Sequence, residues 1–379
     1  MSKYKPLSSV TNNIEHTNGL GNEHYISEKQ FESEKNKIMF QNWCGLSFAK
    51  DIPNIGDVKP ISFLGLSLLI IRENNDVINV FENTCRHRGM QLVNSPQNGK
   101  KNIRCPYHNW CYGLNGSLLA TPHIGGIGIH THKAIKHKSM GLNKIRSHIW
   151  HDIIFINISG TADDFTEYYS QLIDRWRDFE QPIKYGGKDS SFSITLEANW
   201  KLAVENYCES YHLPNIHPEL NKISKLEDHY DIVDSNQYSG QGSSNYHQLR
   251  DEKNNAFPDF KDLKDKWQLG SEYIAIYPNV LIGVHRDHIF SIILEAISVN
   301  ETRENIAFYY AKKLKSTEEI NALKKLNLLF WKKIFKEDIY VVEGMQKGRY
   351  GGKFDGGKFS PVMDRSTHNF HIWITQQLN

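Results

Sequence analysis

The tightest constraint on this chain is a pair of short motifs, Cys85-Arg86-His87 and Cys105-Pro106-Tyr107-His108, with 17 residues between them. Two thiolates and two imidazoles brought together bind metal, either as a single zinc ion or as a two-iron, two-sulfide cluster. Zinc fingers usually pair cysteine with cysteine and histidine with histidine on separate elements. A mixed-ligand cluster instead needs each loop to give a thiolate to one iron and an imidazole to the other. The interleaved order here serves the second arrangement, with zinc as the alternative. With 5 cysteines and 18 histidines in 379 positions, independent placement yields such a match with a probability on the order of 10⁻⁴, so four unrelated side chains are a poor explanation. Gly89 can allow close backbone approach near the first motif, and Pro106 and Trp110 can stiffen and shield the second. Cys111 is read as packing, because the four-ligand set is complete without it.

Around these motifs the texture is that of short strands. Runs such as Ile61 to Ile71, Val77 to Phe81 and Ile153 to Ile158 alternate with turn clusters such as Asn74-Asn75-Asp76 and Asn115-Gly116, which predicts a small all-β domain over residues 41–160. Residues 1–40 form an N-terminal arm and helix. From Thr161 an N-cap signal precedes Phe165, Tyr168, Leu172, Trp176 and Phe179 at helical spacing. Strand-like runs follow at Phe192 to Leu196, Tyr273 to Val284, Phe290 to Ile297 and Ile306 to Ala311, with a long helix over about 317–347, so residues 161–379 read as α+β. Asp234 to Phe260 and the glycine-rich 347–361 are expected as loops. A hydrophobic content of 39% with 23% charged residues excludes disordered and collagen-like classes. A formal charge of +2 gives no field to attract nucleic acid or an anionic membrane. Neither a signal peptide nor a bilayer span is read, and five scattered cysteines suit a reducing cytoplasm.

A second constellation lies between Asn199 and Pro218. If residues 200–212 are helical, Glu205, Glu209 and His212 share one face at i, i+4 and i+7, with His217 on the next turn. A third ligand comes from the long C-terminal helix, where Phe330, Ile334, Asp338, Val341 and Met345 recur along one stripe. An acid on an apolar stripe needs a partner, whereas neighbouring Glu337 shares a face with Lys333 and reads as a solvated pair. His212, His217 and Asp338 would complete a two-histidine, one-carboxylate triad that leaves coordination positions of Fe(II) open for dioxygen, water and substrate proximity. A non-catalytic electron carrier and a zinc-binding module are the rivals, and the triad argues against both.

Taken together and in this order, the two constellations resemble the catalytic α subunit of Rieske non-haem iron oxygenases over roughly residues 40–375. Cys85, His87, Arg88, Cys105, Tyr107, His108 and Trp110 match the cluster motif; Asn199 to Lys201, Glu205-Asn206, Glu209, His212 and His217 match the iron motif; Glu337-Asp338, Glu343, Gln346 and Gly348 match the distal signature. The resemblance implies a β-type Rieske [2Fe-2S] domain, bound by Cys85, His87, Cys105 and His108. A helix-grip catalytic domain with an antiparallel sheet follows, holding mononuclear Fe(II) through His212, His217 and Asp338. It also implies a homotrimer in which His108 of one subunit meets Glu209 of the next. The implied partners are dioxygen, a small-molecule substrate and an NAD(P)H-dependent reductase carrying flavin and [2Fe-2S]. Glu209 stands where most ring-hydroxylating members carry aspartate. That departure resembles the members that oxidise choline, glycine betaine or carnitine, with an aromatic-ring hydroxylase as the alternative. Tyr207, Tyr211, Tyr273, Tyr277 and Phe290 are candidate walls for a trimethylammonium head.

Overall fold

The computed structural model describes residues 7–11, 13–315 and 317–379. They divide into two compact units, Gly45–Ala162 and a second unit in which Asp163–Asn379 is joined by the N-terminal segment through Cys44. The arm expected over 1–40 is therefore part of the C-terminal unit. Among the described residues no helix is long and apolar enough to cross a membrane.

The smaller unit is built from β1 (Cys44–Phe48), β2 (Val58–Phe63), β3 (Leu66–Arg72), β4 (Ile78–Glu82), β5 (Ile103–Arg104), β6 (Cys111–Tyr112), β7 (Leu118–Ala120), β8 (Lys144–Trp150) and β9 (Ile153–Asn157). One sheet runs in the order β1-β9-β8-β4-β3-β2, and β5-β6-β7 form a second, three-stranded one. The run Ile61 to Ile71 is a hairpin rather than one strand: Leu64 and Gly65 both take positive φ, the two-residue turn whose twist suits antiparallel strands. The buried core of this unit includes Leu69, Ile71, Phe81, Ile103, Trp110 and Tyr112, and Cys85 and Cys105 belong to it.

In the larger unit, α1 (Glu23–Ile26) and α2 (Glu28–Glu34) come from the N-terminal segment. The helix expected from Thr161 begins at Phe165, capped by Asp164, and is broken into α3 (Phe165–Tyr168) and α4 (Ser170–Arg175). After β10 (Ile183–Tyr185) and β11 (Ser191–Leu196) come α5 (Trp200–Cys208), α6 (Leu213–Ile216) and α7 (Pro218–Ile223). Then follow β12 (His229–Ile232), β13 (Tyr238–Ser243), β14 (Ser271–Ile276), β15 (Val280–Val284), β16 (Ile289–Ser298), β17 (Glu301–Ala311), α8 (Glu318–Gly348) and α9 (Arg365–Leu378). The sheet is antiparallel, in the order β10-β17-β16-β15-β14-β13-β12, with β11 also paired to β17. Asp234 to Phe260 is not one loop, since it contains β13. Directly paired residues share a face. Phe290 and Leu294 of β16 thus point the same way as Phe308 and Glu304 of β17, and Phe290 meets Trp331 of α8 at 4.8 Å between ring centres. The face of the sheet that bears Phe290 is therefore the one α8 covers.

Candidate metal centres

Cys85 and Cys105 each open a loop of the same construction. The Cys85 amide donates to the Met90 carbonyl at 2.8 Å and the Gly89 amide returns to the Cys85 carbonyl at 3.0 Å; in the second loop Cys105 donates to Trp110 and Asn109 returns to Cys105 at the same distances. The fourth residue after each cysteine takes positive φ, 73° at Gly89 and 57° at Asn109. Gly89 supplies the positive φ that this turn requires, and a Cβ there would meet no other residue of the chain within 4 Å. The two thiols are buried while both imidazoles are partly exposed. The His87 and His108 rings lie 4.6 Å apart, and Trp110 stacks on His87 at 4.7 Å. The His87 Nδ1 is buried without a hydrogen-bond partner. The Tyr112 hydroxyl accepts the Arg86 amide at 3.0 Å and lies 3.3 Å from the Cys85 sulfur. Burial, outweighing that bond, pushes the Cys85 thiol up. Two buried sulfurs and two imidazoles, one with an orphaned nitrogen, fit the donor set that would hold a Rieske-type [2Fe-2S] cluster.

The second centre is assembled from α5, two helical turns and α8. Asn199 caps α5, its side chain accepting the Lys201 amide at 3.1 Å. The helix ends at Cys208 and Glu209 is extended, so the continuous helical face expected over 200–212 does not exist. His212 and His217 are instead the N-cap residues of α6 and α7, each followed by proline in the first turn, where a missing amide costs nothing. This leaves Glu205 apart from them. Its carboxylate is buried toward the N-terminal segment, accepting from the Tyr25 hydroxyl at 2.5 Å, with His371 at 3.1 Å and Arg349 at 3.6 Å.

His212, His217 and Asp338 each offer one ligand atom, all within 4.8 Å of one another. The Nε2 of His217 lies 2.9 Å from Asp338 Oδ1 and that of His212 lies 3.8 Å from it. The opposite nitrogens are held by carboxylates: His212 Nδ1 by Glu209 at 2.6 Å and His217 Nδ1 by Glu337 at 2.9 Å. Glu337 is therefore no solvated pair. Lys333 does stand 3.9 Å from it, but the carboxylate is turned to the histidine. The fully buried stripe of α8 also differs from expectation, running through Leu323, Asn327, Trp331, Ile334, Phe335, Val342 and Gln346, with Asp338 one turn from Ile334 and Val342. Burial depresses the His217 pKa, but hydrogen bonds and charge from Asp338 and Glu337 outweigh it and leave it raised. Carboxylates on both Nδ1 atoms fix each ring and leave Nε2 for a metal, so the donor set fits mononuclear iron.

The cavity at this centre is small, about 50 Å³, and open to solvent, and its walls include Tyr207, Tyr273, Phe290, Trp331 and Phe335. Tyr211 is exposed, and Tyr277 packs instead between Phe370 and Trp373. Sequence reasoning also missed His229 and Gln241. The Gln241 side-chain oxygen accepts from His229 Nδ1 at 2.6 Å, and its amide nitrogen donates to the Glu209 carbonyl at 3.1 Å. No spacing links them to the site, because they reach it through strand pairing.

Family models agree with this division. That of the Rieske [2Fe-2S] domain matches residues 42–133 and that of the ring hydroxylating alpha subunit catalytic domain matches residues 185–379. The chain belongs to the Rieske ring-hydroxylating oxygenase family; it is an oxidoreductase that binds a Rieske [2Fe-2S] cluster and mononuclear iron. It is 23% identical to the carnitine monooxygenase oxygenase subunit of Acinetobacter pittii, over 86% of this chain and 83% of the relative. It is 22% identical to the chloroplastic choline monooxygenase of Atriplex hortensis, over 93% and 76%. A solved structure of the quaternary ammonium Rieske monooxygenase, described for carnitine oxidation and inter-subunit electron transfer, superposes with a TM-score of 0.79 at 20% identity, covering 100% of both chains.

Proposed function

We propose that this oxygenase hydroxylates an N-methyl carbon of a quaternary ammonium compound. The observation that carries the reading is the aromatic cavity directly over the His212, His217 and Asp338 centre; aromatic faces attract organic cations. The similarity to carnitine and choline monooxygenases supports the same substrate class.

In this reading Cys85, His87, Cys105 and His108 hold the cluster, and His212, His217 and Asp338 hold the iron. When bound, the two groups supply stored electrons and dioxygen activation. The chain's own residues supply the rest. Glu209 and Glu337 hold the histidine rings with Nε2 inward. The aromatic walls exclude water and seat the substrate with a methyl group facing the metal ligands. Glu209 keeps its second oxygen on the His212 amide at 3.2 Å, and about 16% of its side chain stays exposed, able to accept from His108 of a neighbouring subunit in a homotrimer. A reductase carrying flavin and [2Fe-2S] delivers electrons from NAD(P)H, in the cytoplasm. One dioxygen, two electrons and two protons convert the methyl group to N-hydroxymethyl plus water, and that group leaves as formaldehyde with a proton.

Coupled oxygen-uptake and formaldehyde assays with a surrogate reductase test this across choline, glycine betaine, γ-butyrobetaine, L-carnitine and simple aromatics. Formaldehyde matching oxygen consumed is expected for at least one cation. A cis-diol or phenol from an aromatic, with no formaldehyde from any cation, would replace the reading with ring hydroxylation.

A further inference from the structure

The sheet face that carries Phe290 into the cavity wall also bears a carboxylate that the metal centre leaves over, set behind the residues that line the cavity. Glu304, mid-strand on β17, is about nine-tenths buried, and among the described residues its carboxylate has neither hydrogen bond nor ion pair. Register fixes its direction. Glu304 stands opposite Leu294 and so shares a face with Phe290, a wall of the cavity. Two other wall residues feel its charge, Asp338 and Tyr207, and the Tyr207 hydroxyl is itself buried without a partner. Neither lysine nor arginine lines the cavity among the described residues. The histidines there are already engaged, His212 by Glu209, His217 by Glu337 and Asp338, and His229 by Gln241.

A buried carboxylate with no cation is costly, and a strand interior is otherwise well served by an apolar residue. Burial, then the charge of Asp338, push the Glu304 pKa up to about 8. Burial disfavours the charged form of the acid, and a cation in the cavity favours it. Aromatic walls alone discriminate weakly, because a ring face that attracts a trimethylammonium head also packs well against its uncharged tert-butyl counterpart. An anion separates the two.

We propose that Glu304 is the counter-charge for the substrate's ammonium group and the residue that makes the cavity select cations over neutral molecules of the same shape. This rests on the quaternary ammonium reading above and names the side chain that enforces it.

The test is calorimetric titration of enzyme carrying both cluster and iron. The probes are choline, glycine betaine, γ-butyrobetaine and L-carnitine, then the neutral carbon isostere of whichever binds best; for choline this is 3,3-dimethylbutan-1-ol. Wild-type enzyme is expected to prefer the cation by about tenfold or more, and Glu304→Gln and Glu304→Met to lose that preference while binding the isostere within about twofold of wild type. Iron content and cluster spectrum should be unchanged, and Glu304→Asp should keep part of the preference. Undiminished preference in both uncharged variants would overturn the role of Glu304 alone. Equal loss for cation and isostere would make the residue structural and also overturn it. Wild-type enzyme that binds none of the four cations would overturn the quaternary ammonium reading, and the role of Glu304 with it.

Discussion

The cluster loops and the His212, His217 and Asp338 centre solve one problem, holding imidazoles still for a metal, by different means. In the loops the backbone does it: two reciprocal amide–carbonyl pairs close each turn, and a positive-φ residue four positions after each cysteine completes it. At the second centre side chains do it, with Glu209 three residues from His212 and Glu337 from a helix 120 residues beyond His217. A site held by local backbone tolerates side-chain change around it. A site held by distant carboxylates is exposed to the loss of a single charge.

The largest effect that would sharpen this contrast is expected from Asp338→Ala. It should empty the mononuclear site and abolish turnover, beyond the 10–100-fold that loss of an outer partner costs, while the Rieske absorption spectrum stays intact. Metal analysis and spectroscopy on one preparation check both halves. Loss of the cluster signal along with the iron would mean that the two centres are not independently built.

Next in size is Glu209→Gln, nearly isosteric but uncharged. Charge-assisted hydrogen bonds are roughly twice as strong as neutral ones, so the hold on His212, and in the proposed trimer on the neighbour's His108, should loosen with both metals still bound. In single-turnover experiments reduction of the cluster by an external donor should stay fast. Its reoxidation in the presence of substrate and oxygen should slow by orders of magnitude. Wild-type reoxidation in an intact trimer would refute the relay and leave Glu209 as a positioning residue only.

Glu337→Gln comes third. Weakening the bond to His217 Nδ1 should lower iron affinity by about 10–100-fold, read as faster iron loss to a chelator, with cluster content unchanged. From periodicity alone this substitution would be silent, so the experiment decides between the helical-face argument and the observed contact.

That disagreement marks where sequence stops being readable. The candidate cluster set could be proposed because its four residues lie within 24 consecutive positions and their order suits a mixed-ligand cluster. Strands such as β9, β11 and β17 and the α8 boundaries could be read from local patterning, and Asp338 from a helical period. Glu337 could not: its i−4 lysine is real, but a local partner does not exclude a stronger one from a remote segment. Glu205 was misplaced for the complementary reason. A helical wheel drawn through residue 212 assumes a helix that stops at Cys208, where Glu209 turns to extended backbone, and the acid instead closes a buried network with Tyr25, Arg349 and His371. Glu304 was invisible because strand alternation assigns a face and says nothing about which helix covers it.

The smallest effect tests the backbone side of the contrast, at a point where a side chain does reach the cluster loops. Tyr112 is fully buried, and burial raises its pKa, so its hydroxyl stays protonated. That oxygen accepts the Arg86 amide at 3.0 Å, which leaves its own proton for the Cys85 sulfur 3.3 Å away. A hydrogen bond to a cluster sulfur disperses thiolate charge and favours the reduced state, raising the potential. In Tyr112→Phe the ring fills the same space and the loop keeps both reciprocal backbone bonds, so cluster content should not change. The Arg86 amide loses its acceptor, a cost of about 1–3 kcal/mol for a buried donor, which thermal unfolding would register as a modest decrease. The potential should move to a more negative value in a spectroscopic redox titration. An unchanged potential with a full cluster would show that the loops insulate the sulfurs by backbone alone. A lost cluster would show that this centre, like the other, depends on a single side chain.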